Sequence, residues 1–439
     1  MRKTLLSLGI ASLFAAPAFA QTPGGIQVYG RLNLAFDQYE AKGAAAGSAA
    51  NFQGRLRVAD SASRVGLRGT EELGNGIRAL FQIESGVNVD SGNNLGQNGI
   101  SNPNTGFWAS RDSWVGIEGD KFGRLTFGRQ SVYWFNGTIE QFGANYINVS
   151  SPLANYSQSG IMSGPVARES NTVQYSLRVG GFSATASYGH SATSIGNVSQ
   201  YEAAQAGVTP RDQFYAITGR YNHAVFDLQV DYGIRKGIVN QDGREAEGIK
   251  IGGAWKYMPG SQVSLIYQNL KNKDNFGLGV AIAVPAACSL PNATPAAAII
   301  PGLPGTVGTV FRTTGAGGSV NGCDDLKQES WLLSWEQQFG NFQLLAQYGW
   351  AGNVKGSTTA AGLPDSDVQS YLIGGRYFLS KRTWIYATYN QLNNGRNNYT
   401  DYWAGWVSSA NQLGLAPGLP STSSGADPRI IAVGVFHNF

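Results

Sequence analysis

The sequence predicts an all-β chain folded as a 16-stranded antiparallel transmembrane β-barrel, with one long loop folded inward to constrict it. Three observations carry that expectation. Apolar and polar residues alternate with period two through segment after segment. Tight turns and long Gly/Ser-rich connections follow one another between the segments. The chain also opens on an export signal.

Arg2 and Lys3 precede an apolar run from Leu5 to Ala16, and Pro17-Ala18-Phe19-Ala20 sets a cleavage site between Ala20 and Gln21. The run is shorter than the roughly 18 residues that a membrane span needs. Residues 1–20 therefore read as a signal peptide and 21–439 as one barrel domain.

Along the mature chain, Val28, Gly30, Leu32, Leu34 and Phe36 share one face, and Tyr29, Arg31, Asn33 and Asp37 share the other. Ile77, Ala79, Phe81 and Ile83 alternate with Arg78, Gln82 and Glu84. The pattern continues from Phe182 to Tyr188 and from Phe226 to Ile234, then through 249–257, 263–267, 331–339, 342–350, 371–377 and 383–389. It closes on Ile431, Val433, Val435, His437 and Phe439. Both faces read half-apolar over 51–69 and 108–119, so the register is open there. Residues 71–76, 178–181, 258–261, 339–341 and 379–382 are tight turns. The connections between them are long, the longest running from about 272 to 327. Short turns at one end and long loops at the other mark an outer-membrane barrel.

A soluble β-sandwich would alternate too, but around a core of mixed large residues. Here Tyr188, Tyr221, Tyr232, Trp255, Tyr257, Trp331, Trp350, Tyr377 and Tyr389 fall at strand ends, where aromatic girdles meet the membrane interfaces. Sixteen strands would leave a water channel rather than a filled core.

Residues 130–167 interrupt the pattern with an Asn-, Ser-, Gly- and aromatic-rich stretch whose one acid is Glu140. A structureless insert of that length is functional or disordered, and inside a barrel it is expected to narrow the mouth. Cys288 and Cys323 are the only cysteines. In an exported chain a lone pair is most simply a disulfide. It would close a loop of about 36 residues, worth roughly 4 kcal/mol on the chain-entropy model. No histidine lies near them, so no metal is expected there, and no cofactor site is read anywhere.

The run from Ser63 to Glu84 (S-R-V-G-L-R-G-T-E-E-L-G-N-G, then R-A-L-F-Q-I-E) closely resembles the second and third strands of the Gram-negative trimeric porins, in their neisserial and beta-proteobacterial branch. Arg111-Asp112-Ser113-Trp114-Val115-Gly116-Ile117 and Phe127-Gly128-Arg129-Gln130 are similar to the strands leading into that family's constriction loop. Ser380-Lys381-Arg382-Thr383 and the ending His437-Asn438-Phe439 match as well. The resemblance implies a homotrimer in the outer membrane, bounded by lipid and lipopolysaccharide. It implies an eyelet lined by Arg64, Arg111 and Arg168 with Glu84 beside it. It also makes Phe439 the signal read by the barrel assembly machinery.

The residues agree in sign. On the inward parity Arg31, Arg64, Arg68, Arg78, Arg168, Arg220, Arg235, Lys250 and Arg376 outnumber Asp37, Glu84, Asp227, Asp231 and Glu336. Basic rings favour anions, and arginine stays charged even when crowded. With Glu140 the sole acid on the loop, mild anion selectivity is expected for a pore passing small hydrophilic solutes. Arg129 has outward parity, where a bare arginine in lipid costs roughly 2–4 kcal/mol near the midplane. It is therefore read as a subunit contact, together with Trp114 and Gly116 on the neighbouring strand.

Other classes fare worse. Without Arg2 and Lys3, 30 basic residues face 28 acidic ones, too balanced for a nucleic-acid partner. The three histidines, His190, His223 and His437, lie near no nucleophile motif, so no enzyme is expected. The nearest rival is a substrate-specific channel using Tyr133, Trp134, Phe135, Phe142, Tyr146 and Tyr156. A barrel whose long loops serve as adhesin or phage receptor is the other.

Overall fold

The computed structural model describes residues 25–43, 52–61, 63–87, 89–90, 108–132, 168–190, 213–236, 245–273, 326–355, 365–396 and 425–439. Strands fill nearly all of them: β1 (Ile26–Lys42), β2 (Phe52–Asp60), β3 (Arg64–Gly74), β4 (Ile77–Gly86), β5 (Ser113–Gly119), β6 (Gly123–Ser131), β7 (Arg168–Val179), β8 (Phe182–His190) and β9 (Gln213–Asn222). Then come β10 (Phe226–Lys236), β11 (Glu245–Met258), β12 (Ser261–Lys273), β13 (Leu326–Phe339), β14 (Phe342–Ala351), β15 (Val368–Phe378), β16 (Thr383–Asn394) and β17 (Asp427–Asn438). From β3 onward each strand pairs antiparallel with the next, and β1 pairs with β17 to close the sheet.

Seventeen segments make sixteen staves, because β2 and β3 lie end to end along one edge of β1. At their junction the register against β1 slips by one: Arg31 faces Arg64, but Leu34 faces Asp60. The Asn33 N–H donates to Ser63 Oγ at 2.9 Å and the Ser61 N–H donates to the Asn33 carbonyl at 2.8 Å, so serines replace the missing ladder bonds. A bulge of this kind reverses the side-chain parity. That is why 51–69 reads half-apolar on both faces.

Polarity is inside out, as a membrane barrel requires. Val28, Phe36, Val115, Ile217, Ile373 and Val433 face outward and are each more than half exposed, while Asn33, Asp37, Gln229, Asp231, Gln268 and Gln343 are buried on the inner face. Two aromatic rows flank the outer band. In the row nearer the long connections, Tyr215, Tyr232, Tyr267 and Tyr371 each donate a hydroxyl hydrogen to a Gln or Glu one step further out, at 2.6–3.2 Å. Aromatic tips in that position join an apolar band to water. Among the described residues this row runs over β8–β16. On β3–β7 the outward positions carry Val65, Ile83, Val115, Phe127 and Val173 instead.

The barrel closes where the chain ends. Gly30 and Phe439 exchange both backbone hydrogen bonds, at 3.2 and 3.1 Å. A Cβ on Gly30 would stand 2.4 Å from Phe439 Cζ and 2.5 Å from the Arg64 carbonyl oxygen. Gly30→Val is expected to cost roughly 1–3 kcal/mol by forcing that seam apart. A lower temperature of conversion from the folded to the unfolded band in SDS gels measures it.

Candidate functional site

The inner wall of β3–β7 gathers charge at the loop ends of the strands. Arg64 opens β3, just past the bulge, and Glu84 lies near the end of β4, with Gly66 of β3 opposite it. The ladder continues beyond β4, since the Arg111 N–H donates to the Glu84 carbonyl at 2.9 Å, and this brings the Arg111 side chain back over Glu84. The Glu84 carboxylate accepts Arg111 Nε at 2.6 Å, the Tyr29 hydroxyl at 3.1 Å, and has Arg64 Nε at 3.5 Å. Tyr29 reaches it across Gly66, where a Cβ would stand 2.5 Å from the tyrosine Cζ.

A second carboxylate extends the cluster. Asp112 takes Arg168 Nε at 3.0 Å and the Ser131 hydroxyl at 2.8 Å. Arg31, buried on β1, lies within electrostatic reach of Arg64, Arg111, Glu84 and Asp60. Arg68 sits one step lower, its Nε donating to Gln27 Oε1 at 2.8 Å and its guanidinium 4.9 Å from the Tyr29 ring centroid. Arg64 and Arg111 thus share Glu84 while Arg168 takes Asp112, three guanidiniums on two carboxylates, with Arg31 and Asp60 within electrostatic reach.

Elsewhere on the inner wall the charges are also paired, though not always one to one. Lys250 pairs with Asp231 at 3.2 Å, Lys256 and Arg220 share Asp227 at 2.8 and 3.5 Å, and Arg57 pairs with Asp37 at 2.8 Å. Arg376 donates to Gln343, which itself donates to Glu336.

Where residues 132–167 leave and rejoin the wall, the backbone is pinned. Gly128 faces Thr172 but Gln130 faces Glu169, so Ser170 and Asn171 together oppose Arg129. Asn171 sits at φ +52°, in the left-handed region that asparagine tolerates better than most residues. Asn171→Val is expected to cost about 1–2 kcal/mol, and Asn171→Gly little, as thermal unfolding in detergent would read.

Arg129 is outward in parity beside Phe127 and half-buried. It donates through Nε to the Ser110 carbonyl at 3.1 Å and through Nη1 to Ser170 Oγ at 2.7 Å. Trp114 does not join it. Val115 and Ile117 are the outward residues of β5, and Trp114 pairs in register with Gln82 on the inner face. There Arg124, itself 3.2 Å from Glu118, lies 5.9 Å from the Trp114 ring centroid. The expectation that Trp114 and Gly116 face a subunit is corrected by this one-residue parity. Gly116 also lies inward, opposite Thr126.

Sequence reasoning gave Asp112 no role, although it stands inside the run Arg111-Asp112-Ser113. An acid flanked by an arginine at a strand entrance was the available signal. Tyr29 was placed on the inner face, but its bond to Glu84 depends on the β1–β3 register. Glu140, the loop aromatics from Tyr133 to Tyr156, Cys288, Cys323, Ala20 and Gln21 lie outside the described residues.

A family model described as Gram-negative porin matches residues 7–397. An outer membrane porin protein of Bordetella pertussis is 27% identical over 411 residues, covering 88% of this chain and 93% of that one. The major outer membrane protein P.IB of Neisseria gonorrhoeae is 29% identical over 145 residues, 33% of this chain and 35% of that protein. Among solved structures, the anion-selective porin from Comamonas acidovorans superimposes with a TM-score of 0.62 at 19% identity, over 95% of this chain and all of that one. The trimer form of a Vibrio cholerae outer membrane protein superimposes at 0.54 with 12% identity, over 95% and 100% of the two chains.

Proposed function

The chain belongs to the Gram-negative porin family, and from that premise we propose that its outer-membrane barrel passes small hydrophilic solutes by passive diffusion, with a mild preference for anions. One observation carries the selectivity. The guanidiniums of Arg64, Arg111 and Arg168 share two bridged carboxylates, Glu84 and Asp112, while Lys250 and Arg57 sit in one-to-one pairs and Arg376 behind a bridging amide. A single uncompensated charge beside a water-filled passage biases ions weakly, because at 4 Å in water it is worth only about 1 kcal/mol. Glu84 and Asp112 hold the arginines in place and moderate their field. The similar Comamonas porin is anion-selective, which agrees with this reading.

A homotrimer is the assembly we favour. The outer tyrosine row is missing over β3–β7, as expected where a protein rather than lipid headgroups covers the wall. Arg129 lies in that arc, outward in parity and half-buried. Phe439 is read as the signal for the assembly machinery. The test of function is a planar-bilayer recording in a KCl gradient. A reversal potential on the chloride side is expected, and one on the potassium side overturns the anion reading.

A further inference from the structure

Near the long connections the inner wall carries aliphatic side chains among its polar groups, with Gln328 and Ser330 of β13 interrupting them. Ala246 on β11, Leu270 on β12, Ala351 on β14, Val368 on β15, Leu392 on β16 and Ile430 on β17 all stand near the loop ends of their strands. They share the inward parity of Lys250, Gln268 and Asn390, and each is at most 1% exposed. Fully burying a Leu or Ile side chain is worth about 1.5–3 kcal/mol relative to leaving it wet. An arc of this kind therefore calls for an apolar cover.

The sequence contains one. Residues 275–311, between β12 and β13, hold no charged side chain in 37 positions and are built from Ala, Val, Ile and Leu with Gly and Pro. They depart from within the arc, directly after β12. An outward course is chemically unfavourable, because the outer faces at those strand ends carry Lys271, Lys327, Glu329 and Lys355. Reach is ample. The arc from β11 to β17 spans six strand spacings, about 29 Å at about 4.8 Å each, and 37 extended residues cover roughly 120 Å.

We propose that residues 275–311 seat against this arc inside the outer mouth, so that the chain lines its own vestibule with an apolar segment. The proposal rests on the barrel and not on its ion preference.

Its test uses the full-length protein with Cys288→Ser and Cys323→Ser, carrying Leu392→Cys as a reporter for a membrane-impermeant maleimide. A second form replaces 275–311 by a short Gly/Ser linker. A third keeps the full length and carries Ile299→Asp with Ile300→Asp, which reports even if the shortened form fails to fold. Labelling is expected to be at least about tenfold faster in the second and third forms than in the first, in line with the burial energy of a leucine. Single-channel conductance should rise in the second form while the reversal potential keeps its sign. Equal labelling rates in all three forms overturn the proposal. So does quenching of an Ile299→Trp reporter by brominated phospholipid, which places the segment in lipid. Loss of oligomer on shortening also overturns it, assigning the segment to a second copy of the chain.

Discussion

Replacing Arg64, Arg111 and Arg168 together by glutamine should reverse the ion preference, moving the reversal potential in a KCl gradient from the chloride to the potassium side. Three positive charges leave the wall, while the carboxylates they bridged, Glu84 and Asp112, stay. For an ion passing roughly 7 Å away through water, each wall charge is worth about 0.6 kcal/mol. The three sum to nearly 2 kcal/mol, which is a change of more than about tenfold in the permeability ratio before screening reduces it. Glutamine keeps a donor for each carboxylate, so the barrel should still assemble. Glu84→Gln alone should shift the potential in the opposite direction. If both variants moved it the same way, the charges would be acting through barrel shape and not through their field.

Lys250→Met should cost the barrel more stability than either Gly30→Val or Asn171→Val. Asp231 is fully buried, and its carboxylate is held by Lys250 Nζ at 3.2 Å, Thr218 Oγ1 at 2.6 Å and Gln229 Nε2 at 2.8 Å. Two neutral donors remain after the substitution, but the charge loses its counter-ion. Removing one partner of a buried pair costs about 3–5 kcal/mol, because the survivor stays desolvated and uncompensated. Adding Asp231→Asn should restore most of the loss, since the amide oxygen still accepts from Thr218. Heat conversion of the folded band in SDS reads both variants. A double variant no more stable than the single one would assign the loss to packing around the lysine stem.

Strand-by-strand architecture was legible because its cues are local. Alternation with period two marks each stave, and turns such as Gly74-Asn75-Gly76, with φ of 89°, 53° and 72°, announce themselves by residue type. What stayed hidden depends on one-residue slips. The bulge at 61–63 and the entrance to β5 each shift parity, which blurred one stretch and misdirected the reading of Trp114. The arginines of the site could be placed from their motif, but their partners could not. The Tyr29–Glu84 and Arg168–Asp112 contacts join residues 55 and 56 positions apart, through a register that no single segment encodes. The aliphatic inner arc was missed for another reason: alternation says which residues share a face and not what that face must hold.

The seam between β1 and β17 also sets a timescale. The Tyr386 hydroxyl donates to Asn33 Oδ1 across 353 residues, and Trp384 stacks on Phe436 with ring centroids 4.0 Å apart beside it. Bringing chain segments so distant together costs roughly 5 kcal/mol in closure entropy on the logarithmic scaling. Contacts that remote reward the chain only late, so the ring is slow to form. Once it has closed, no strand edge is left to fray among the described residues. Departure from the native state must begin by parting two paired strands somewhere around the ring, and the lifetime of the barrel in detergent is then set by the rate at which such a joint opens.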